Sequence, residues 1–152
     1  MTTLVGTQKN FSKALQELAE LDYDAVEAYK ATIEKLENSS YKARMEEFKG
    51  DHERHIKEIN GLLAAHDVET VKGPTAKGWL TEGKVRLANM VGDDNTILKA
   101  MLSNEEDTNT AYRRLNDHAD KWADAIKMLE RGLTDEKKHK EWIKKTIEEN
   151  KG

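Results

Sequence analysis

Residues 11–36 read FSKALQELAELDYDAVEAYKATIEKL, and their apolar side chains recur at intervals of three and four residues. This spacing places the apolar side chains on one face of an α-helix. Asp22 interrupts that face near its middle, between Leu18 and Ala25. The stretch therefore predicts a long helix that packs into a core and carries one carboxylate into it.

Three further stretches show the same periodicity. They predict helices over residues 41–66, 94–119 and 123–149. A polar break at residues 38–40 separates the first two helices, and Ser39 or Ser40 can cap the second. The chain as a whole is therefore expected to be all-α.

Residues 67–92 differ from the helical stretches. They contain Pro74, four glycines and scattered apolar residues, which indicate a long crossover with a short helix of its own. A crossover of this length suits a bundle in which the third helix does not begin beside the end of the second. We expect one domain over residues 1–152, a four-helix bundle built from two helix hairpins.

Composition and charge exclude several classes of function. The 152 residues include 25 Lys and Arg and 29 Asp and Glu, which gives a net charge of −4 and argues against a nucleic-acid partner. There is no cysteine, so thiolate catalysis, disulfides and cysteine metal sites are ruled out. The apolar runs are too short to span a membrane, and the N-terminal residues lack the pattern of a signal peptide. We therefore expect a cytoplasmic protein.

The two halves of the chain look like a repeat. Asp22 and Tyr29 correspond to Glu105 and Tyr112 at an offset of 83 residues. Residues 51–55, DHERH, correspond to residues 135–139, DEKKH, at an offset of 84. One helix pair has been used twice, which predicts a bundle with approximate twofold symmetry.

Each predicted helix carries ionisable residues on its apolar face. They are Asp22 in the first helix, His52 and His55 in the second, Glu105 in the third, and Glu136 and His139 in the fourth. Unpaired charges in a core cost several kcal/mol each, and two divalent metal ions would satisfy this set. Carboxylate and imidazole ligands suit iron or manganese. The alternative is that these are satisfied core residues of a bundle without metal.

The motifs around these residues resemble those of ferritin-like di-iron carboxylate proteins. The first and third helices share the rubrerythrin-type spacing of carboxylate, small residue and tyrosine: Asp22, Ala25 and Tyr29, then Glu105, Thr108 and Tyr112. Residues 135–139 are similar to the Asp-Glu-x-Arg-His motif of bacterial di-iron enzymes, and residues 51–55 keep that frame. More narrowly, residues 22–29 and 103–109 resemble a bacterial family of small ferritin-like proteins of unknown function.

The resemblance also implies roles for the neighbours of these ligands. In di-iron bundles an aspartate four residues before a ligand histidine accepts the imidazole N–H of a histidine on the partner helix, which implies this role for Asp51 and Asp135. The alternative for both is an ordinary surface acid. Tyr29 and Tyr112 can bond to ligand carboxylates or donate electrons; packing with a satisfied hydroxyl is the simpler role.

Two ligand positions depart from the family pattern. His52 stands where a bridging Glu is expected, and Asp22 is one methylene shorter than Glu. The centre can therefore hold two metals with altered potential, one metal well and one poorly, or zinc in place of iron. His52 can also turn away and leave Asp51 or Glu53 as substitutes. We expect unequal sites, with the one that holds Glu136 and His139 filling first.

The function implied by the resemblance is that of a non-haem di-metal protein. It would hold two iron ions, with manganese, zinc or a mixed pair as alternatives, and act on O₂ or H₂O₂ or oxidise Fe(II). An oxidoreductase of the ferroxidase or peroxidase type, in iron handling or oxidative stress, would fit. The expected partners are metal ions and O₂ or H₂O₂, and the chain is compatible with a homodimer. The alternative is a metal-free structural or stress-associated bundle.

Overall fold

The computed structural model describes residues 3–74 and 90–150, and its regular elements are helices. They are α1 (Phe11–Lys35), α2 (Ser39–Ala65), α3 (Asp94–Asn116) and α4 (Ile126–Glu149), with a 3₁₀ turn at Ala123–Ala125 before α4. The prediction of an all-α chain is confirmed over these residues. A short helix was predicted within the crossover over residues 67–92, of which residues 75–89 lie outside the described ones.

The first three long helices begin at residues with capping side chains. The side chains of Asn10 and Asp93 accept the N–H groups of Lys13 and Thr96, respectively. Asn38 accepts two N–H groups, those of Ser40 and Tyr41. The prediction that Ser39 or Ser40 caps α2 was therefore wrong. A carboxamide at Asn38 satisfies two free donors, so the helix begins earlier than expected.

Each helix packs antiparallel to two others. α1 lies along α2, and α3 along α4; α1 also packs on α3, and α2 on α4. Hydrogen bonds join Asp22 of α1 to Tyr112 of α3, and Tyr29 of α1 to Glu105 of α3. These two helices therefore run in opposite directions. α2 and α3 therefore run in the same direction. A chain leaving α2 must return along the bundle before α3 can begin, which accounts for the long connection between them.

The core has two apolar clusters, separated by a layer of ionisable residues. One cluster includes Leu15, Leu18, Ile59, Leu63 and Leu129. The other includes Leu36, Met45, Phe48, Met101 and Ile143. Every helix passes from one cluster to the other, and the ionisable residues lie at the crossing point. The apolar clusters thus hold the four segments that carry the ionisable residues at one depth.

The junction between α3 and α4 differs from the prediction. α3 ends at Asn116 rather than near residue 119, and α4 begins only after the 3₁₀ turn. Beyond the end of α3, His118 Nε2 donates to the Gln8 carbonyl at 2.7 Å. Trp122, which lies between α3 and the 3₁₀ turn, stacks on His66 with ring centroids 3.6 Å apart. Over residues 3–74 and 90–150, no helix has the length and apolar character needed to cross a membrane.

Candidate metal centre

The six ionisable residues predicted from the sequence meet between the two apolar clusters, and none is more than 1% exposed. Their side chains form two overlapping groups, and within each group one potential ligand atom per residue lies within 4.8 Å of the others. The Asp22 group comprises Asp22, His52, His55 and Glu136. The Glu105 group comprises His52, Glu105, Glu136 and His139. The two groups share His52 and Glu136, so the ligand atoms surround two adjacent positions.

His55 and His139 are oriented by aspartates of the opposite hairpin. His55 Nε2 lies 2.9 Å from Asp135 Oδ2, and His139 Nε2 lies 2.7 Å from Asp51 Oδ2. The Nδ1 atom of each histidine makes no hydrogen bond to any described residue. These Nδ1 atoms lie 3.6 and 3.7 Å from Oε2 of Glu136. A histidine whose Nε2–H is held by a carboxylate presents an Nδ1 lone pair, the arrangement found in metal-ligating histidines.

Tyr29 and Tyr112 hold the two carboxylates contributed by α1 and α3. The Tyr112 hydroxyl donates to Asp22 Oδ2 at 2.6 Å, and the Tyr29 hydroxyl donates to Glu105 Oε1. Burial, together with the nearby carboxylates, raises the pKa of both tyrosines well above the ordinary value. The phenols therefore remain protonated donors that fix the carboxylates.

Glu136 is the least satisfied residue of the centre. Neither of its carboxylate oxygens has a hydrogen-bond partner among the described residues. Burial raises the pKa of Glu136 to about 7, although the His52 side chain opposes this shift. A buried carboxylate without a hydrogen bond calls for a cation or a proton. Together with the free Nδ1 atoms of His55 and His139, Glu136 supplies the donor set that a divalent metal ion requires, so the residues fit such an ion.

His52 faces the centre and does not turn away from it. Its Nδ1 lies 2.7 Å from Asp22 Oδ1, and its Nε2 lies 3.4 Å from Glu105 Oε1. Burial alone would lower the pKa of His52, but Glu136, Asp22 and Glu105 raise it well above the ordinary value. Glu53, considered as a substitute ligand, is exposed. The buried carboxylates are thus balanced in part by the imidazole that stands among them.

Several side chains of the centre were not assigned a role from the sequence. The Thr108 hydroxyl lies 3.1 Å from Glu105 Oε2, to which it donates. The guanidinium of Arg54 bonds to Asp135 and also to Asp51, at 3.2 Å for the latter. Thr108 lies one turn after Glu105 on the same face, so its spacing could have indicated this contact. The bond between Arg54 and Asp135 joins α2 to α4, so the periodicity of a single helix could not predict it.

A packing difference separates the two halves. Phe48 packs on His139 with ring centroids 4.3 Å apart, but the position that corresponds to it in α4 is Gly132. A Cβ at Gly132 would lie 2.5 Å from Cε1 of Tyr112, so the tyrosine ring occupies that space. Glycine is therefore required for the Tyr112 ring to lie where its hydroxyl reaches Asp22.

A surface groove of about 660 Å³ runs between α3 and α4. Its lining includes Asn109, Arg113, Lys137, Lys140 and Lys144, and none of the six residues of the centre. Asn109 separates the groove from the centre, since its amide donates to the backbone carbonyls of Glu105 and Glu136. The six side chains of the centre thus do not line this groove.

Comparisons with known proteins report the family and the fold. None of the curated proteins matches the chain. Among solved structures, the chain is similar to a conserved hypothetical protein, rv2844, from Mycobacterium tuberculosis, at 17% identity and a TM-score of 0.72. That match covers 90% of this chain and 96% of the other, and it shows the fold alone. The profile of a domain of unknown function, DUF2383, matches residues 10–118, which include α1 to α3 and four of the six residues of the centre. The chain therefore belongs to the DUF2383 family.

Proposed function

We propose that this protein is a ferritin-like, non-haem metalloprotein whose buried centre binds divalent metal ions, iron in the first place, and acts on O₂, H₂O₂ or Fe(II). One observation carries the proposal. Glu136 and the Nδ1 atoms of His55 and His139 point at one another from two helices and make no hydrogen bonds to the described residues. A core that needed no cation would have paired these groups.

The donor set supports iron or manganese, with zinc as an alternative. Each group offers carboxylate oxygen and imidazole nitrogen, which suit these ions, and the chain has no cysteine to favour softer metals. Asp22, His52, His55, Glu105, Glu136 and His139 would hold the metal. Bound iron would supply the electron transfer that chemistry on O₂ or peroxide requires.

The remaining side chains position these ligands and keep water out. Asp51 and Asp135 fix the ring orientation of His139 and His55, and outer contacts of this kind sustain metal affinity. Tyr29 and Tyr112 fix Glu105 and Asp22 in the same way. Because the six side chains are at most 1% exposed, the centre favours reactants as small as O₂ and H₂O₂.

A structural role without metal is the second candidate. It is favoured by the position of His52, whose ring lies 2.7 Å from Asp22 and 3.4 Å from Glu105 and can neutralise part of the buried charge as an imidazolium. In that case the centre would serve as a layer of buried ion pairs that specifies the register of the helices.

Metal analysis separates the two candidates. Protein purified without chelator is expected to contain iron, manganese or zinc. Anaerobic Fe(II) should raise the melting temperature of the metal-free protein, and exposure to O₂ or H₂O₂ should then give ferric absorption in the near ultraviolet. Glu136→Gln should abolish both effects, while Glu141→Gln, an exposed site on the same helix, should retain them. A metal-free purified protein that Fe(II), Mn(II) and Zn(II) all fail to stabilise would support the structural role.

A further inference from the structure

His52 belongs to both groups of the centre, but through different atoms. Its Nδ1 lies 2.7 Å from Oδ1 of Asp22. Its Nε2 faces the other group, 3.4 Å from Oε1 of Glu105 and 3.5 Å from Oε1 of Glu136. The two ring nitrogens are therefore directed at the two halves of the centre.

A neutral imidazole has one N–H and one lone pair, so it can ligate through only one nitrogen. The Nδ1 contact with Asp22 has the length of a good hydrogen bond, whereas both Nε2 contacts are longer than one. In the neutral ring that metal ligation requires, the N–H therefore lies on Nδ1 and is donated to Asp22. The lone pair lies on Nε2, where it faces Glu105 and Glu136.

Glu136 occupies the corresponding place in the other half and does not have this restriction. Its Oε1 lies 3.5 Å from His52, and its Oε2 lies 3.6 Å from His55 and 3.7 Å from His139. Both oxygens carry lone pairs, so Glu136 can serve both groups at once. His52 can serve only one.

Most of the other contacts are matched between the two groups, although Glu105 also accepts the Thr108 hydroxyl and the corresponding residue beside Asp22 is Ala25. Asp22 and Glu105 each accept a tyrosine hydroxyl, and His55 and His139 are each held by an aspartate. His52 is thus the ligand whose chemical type differs between the halves, an imidazole where the other half has the carboxylate of Glu136.

We propose that the two groups bind metal ions with unequal affinity and in a fixed order, because His52 completes only the Glu105 group. The first ion is held by His52, Glu105, Glu136 and His139. The second is held by Asp22, His55 and Glu136, with an N–H of His52 directed at its carboxylate ligand. This inference rests on the proposed metal binding and specifies how the centre fills. A change from His to Glu at position 52 would restore a second shared carboxylate.

The test is a titration of the metal-free protein with Mn(II), followed by calorimetry and electron paramagnetic resonance. We expect two binding steps that differ by roughly 10- to 100-fold in affinity, the range that a change at one partner of a metal ligand produces. Up to one equivalent, the spectrum should be that of an isolated Mn(II) ion. His52→Glu should bring the two steps together and give the spectrum of a coupled pair, whereas Glu53→Gln, an exposed neighbour, should leave both steps unchanged.

Two isosteric variants test the order independently of His52→Glu. Glu105→Gln should remove the tight step, and Asp22→Asn should remove the weak step and leave the tight one in place. The inference is overturned if the wild-type protein binds two ions with equal affinity, or if Asp22→Asn removes the tight step. The absence of any binding by the folded wild-type protein would instead overturn the proposed function, and the inference with it.

Discussion

Replacing Gly132 with alanine is expected to destabilise the protein, although alanine is the better helix former. Gly132 lies inside α4, where alanine would by itself add up to about 1 kcal/mol of stability. The added Cβ would lie 2.5 Å from Cε1 and 2.9 Å from Cδ1 of Tyr112. The ring is fully buried, and its hydroxyl is fixed at 2.6 Å from Asp22. The substitution must therefore displace the ring or the helix.

The magnitude follows from the two contacts at risk. Overpacking a core by one methyl group costs about 1–3 kcal/mol. If the Tyr112 hydroxyl leaves Asp22, a buried carboxylate loses a donor, at a further cost of about 1–3 kcal/mol. After the gain in helix propensity is subtracted, the net loss is roughly 1–5 kcal/mol when both contacts are affected.

Denaturation of the metal-free protein by guanidinium chloride measures this loss. Gly50→Ala is the matched control, because Gly50 is an exposed glycine inside α2 and nothing lies within 4 Å of its added Cβ. It should raise stability by about 0.5–1 kcal/mol. The reasoning is refuted if Gly132→Ala is as stable as the wild-type protein, or if it gains as much as Gly50→Ala.

Three further outcomes are expected. Glu136→Gln should stabilise the metal-free protein at pH 8, because burial raises the pKa of Glu136 to about 7 and its ionised form has no hydrogen-bond partner among the described residues. The same variant should lose the stabilisation by Fe(II). Denaturation with and without metal measures both effects. Asp135 and Asp22 raise the pKa of His55 from 6.5 to about 9 against the effect of burial, so its contribution to the stability of the metal-free protein should be complete below pH 6.5 and be lost as the pH rises through 9. Between pH 6.5 and 9 the extra stability conferred by metal should grow, since metal binding displaces protons from its ligands. At a free metal concentration about 100 times Kd, this extra stability should reach about 2.7 kcal/mol. A metal-free protein that becomes more stable from pH 6.5 to 9 would contradict the assignment of His55.

The helices and the residues of the centre could be predicted because both follow from periodicity. Asp22 and Glu105 interrupt apolar faces at a fixed place, and the offset of 83 residues marks them as equivalent. Since hairpins must bury those faces, the interruptions have to meet. Both the six residues and the all-helical class could be inferred on this basis.

The partners of these residues could not be predicted from one helix at a time. Tyr29 follows Asp22 by two helical turns, about 10 Å along the axis, so its hydroxyl cannot reach that carboxylate and bonds to Glu105 on α3 instead. Likewise, the sequence showed that His52 departs from the expected Glu, but only packing decides which ring nitrogen faces Asp22. The start of α2 was missed for a similar reason, because three adjacent polar residues could each have capped it.

The exchange of partners between the hairpins bears on how such a chain could have originated. His55 of one hairpin is held by Asp135 of the other, and His139 by Asp51 in return. A single hairpin would therefore have an incomplete centre, but two copies of it, related by twofold symmetry, would complete each other. Duplication and fusion of a gene for one hairpin would convert such a dimer into a single chain, with the connection between α2 and α3 as the joint. After such a fusion the two copies could diverge. The difference between His52 and Glu136 is an asymmetry of this kind, which a dimer of identical chains cannot acquire.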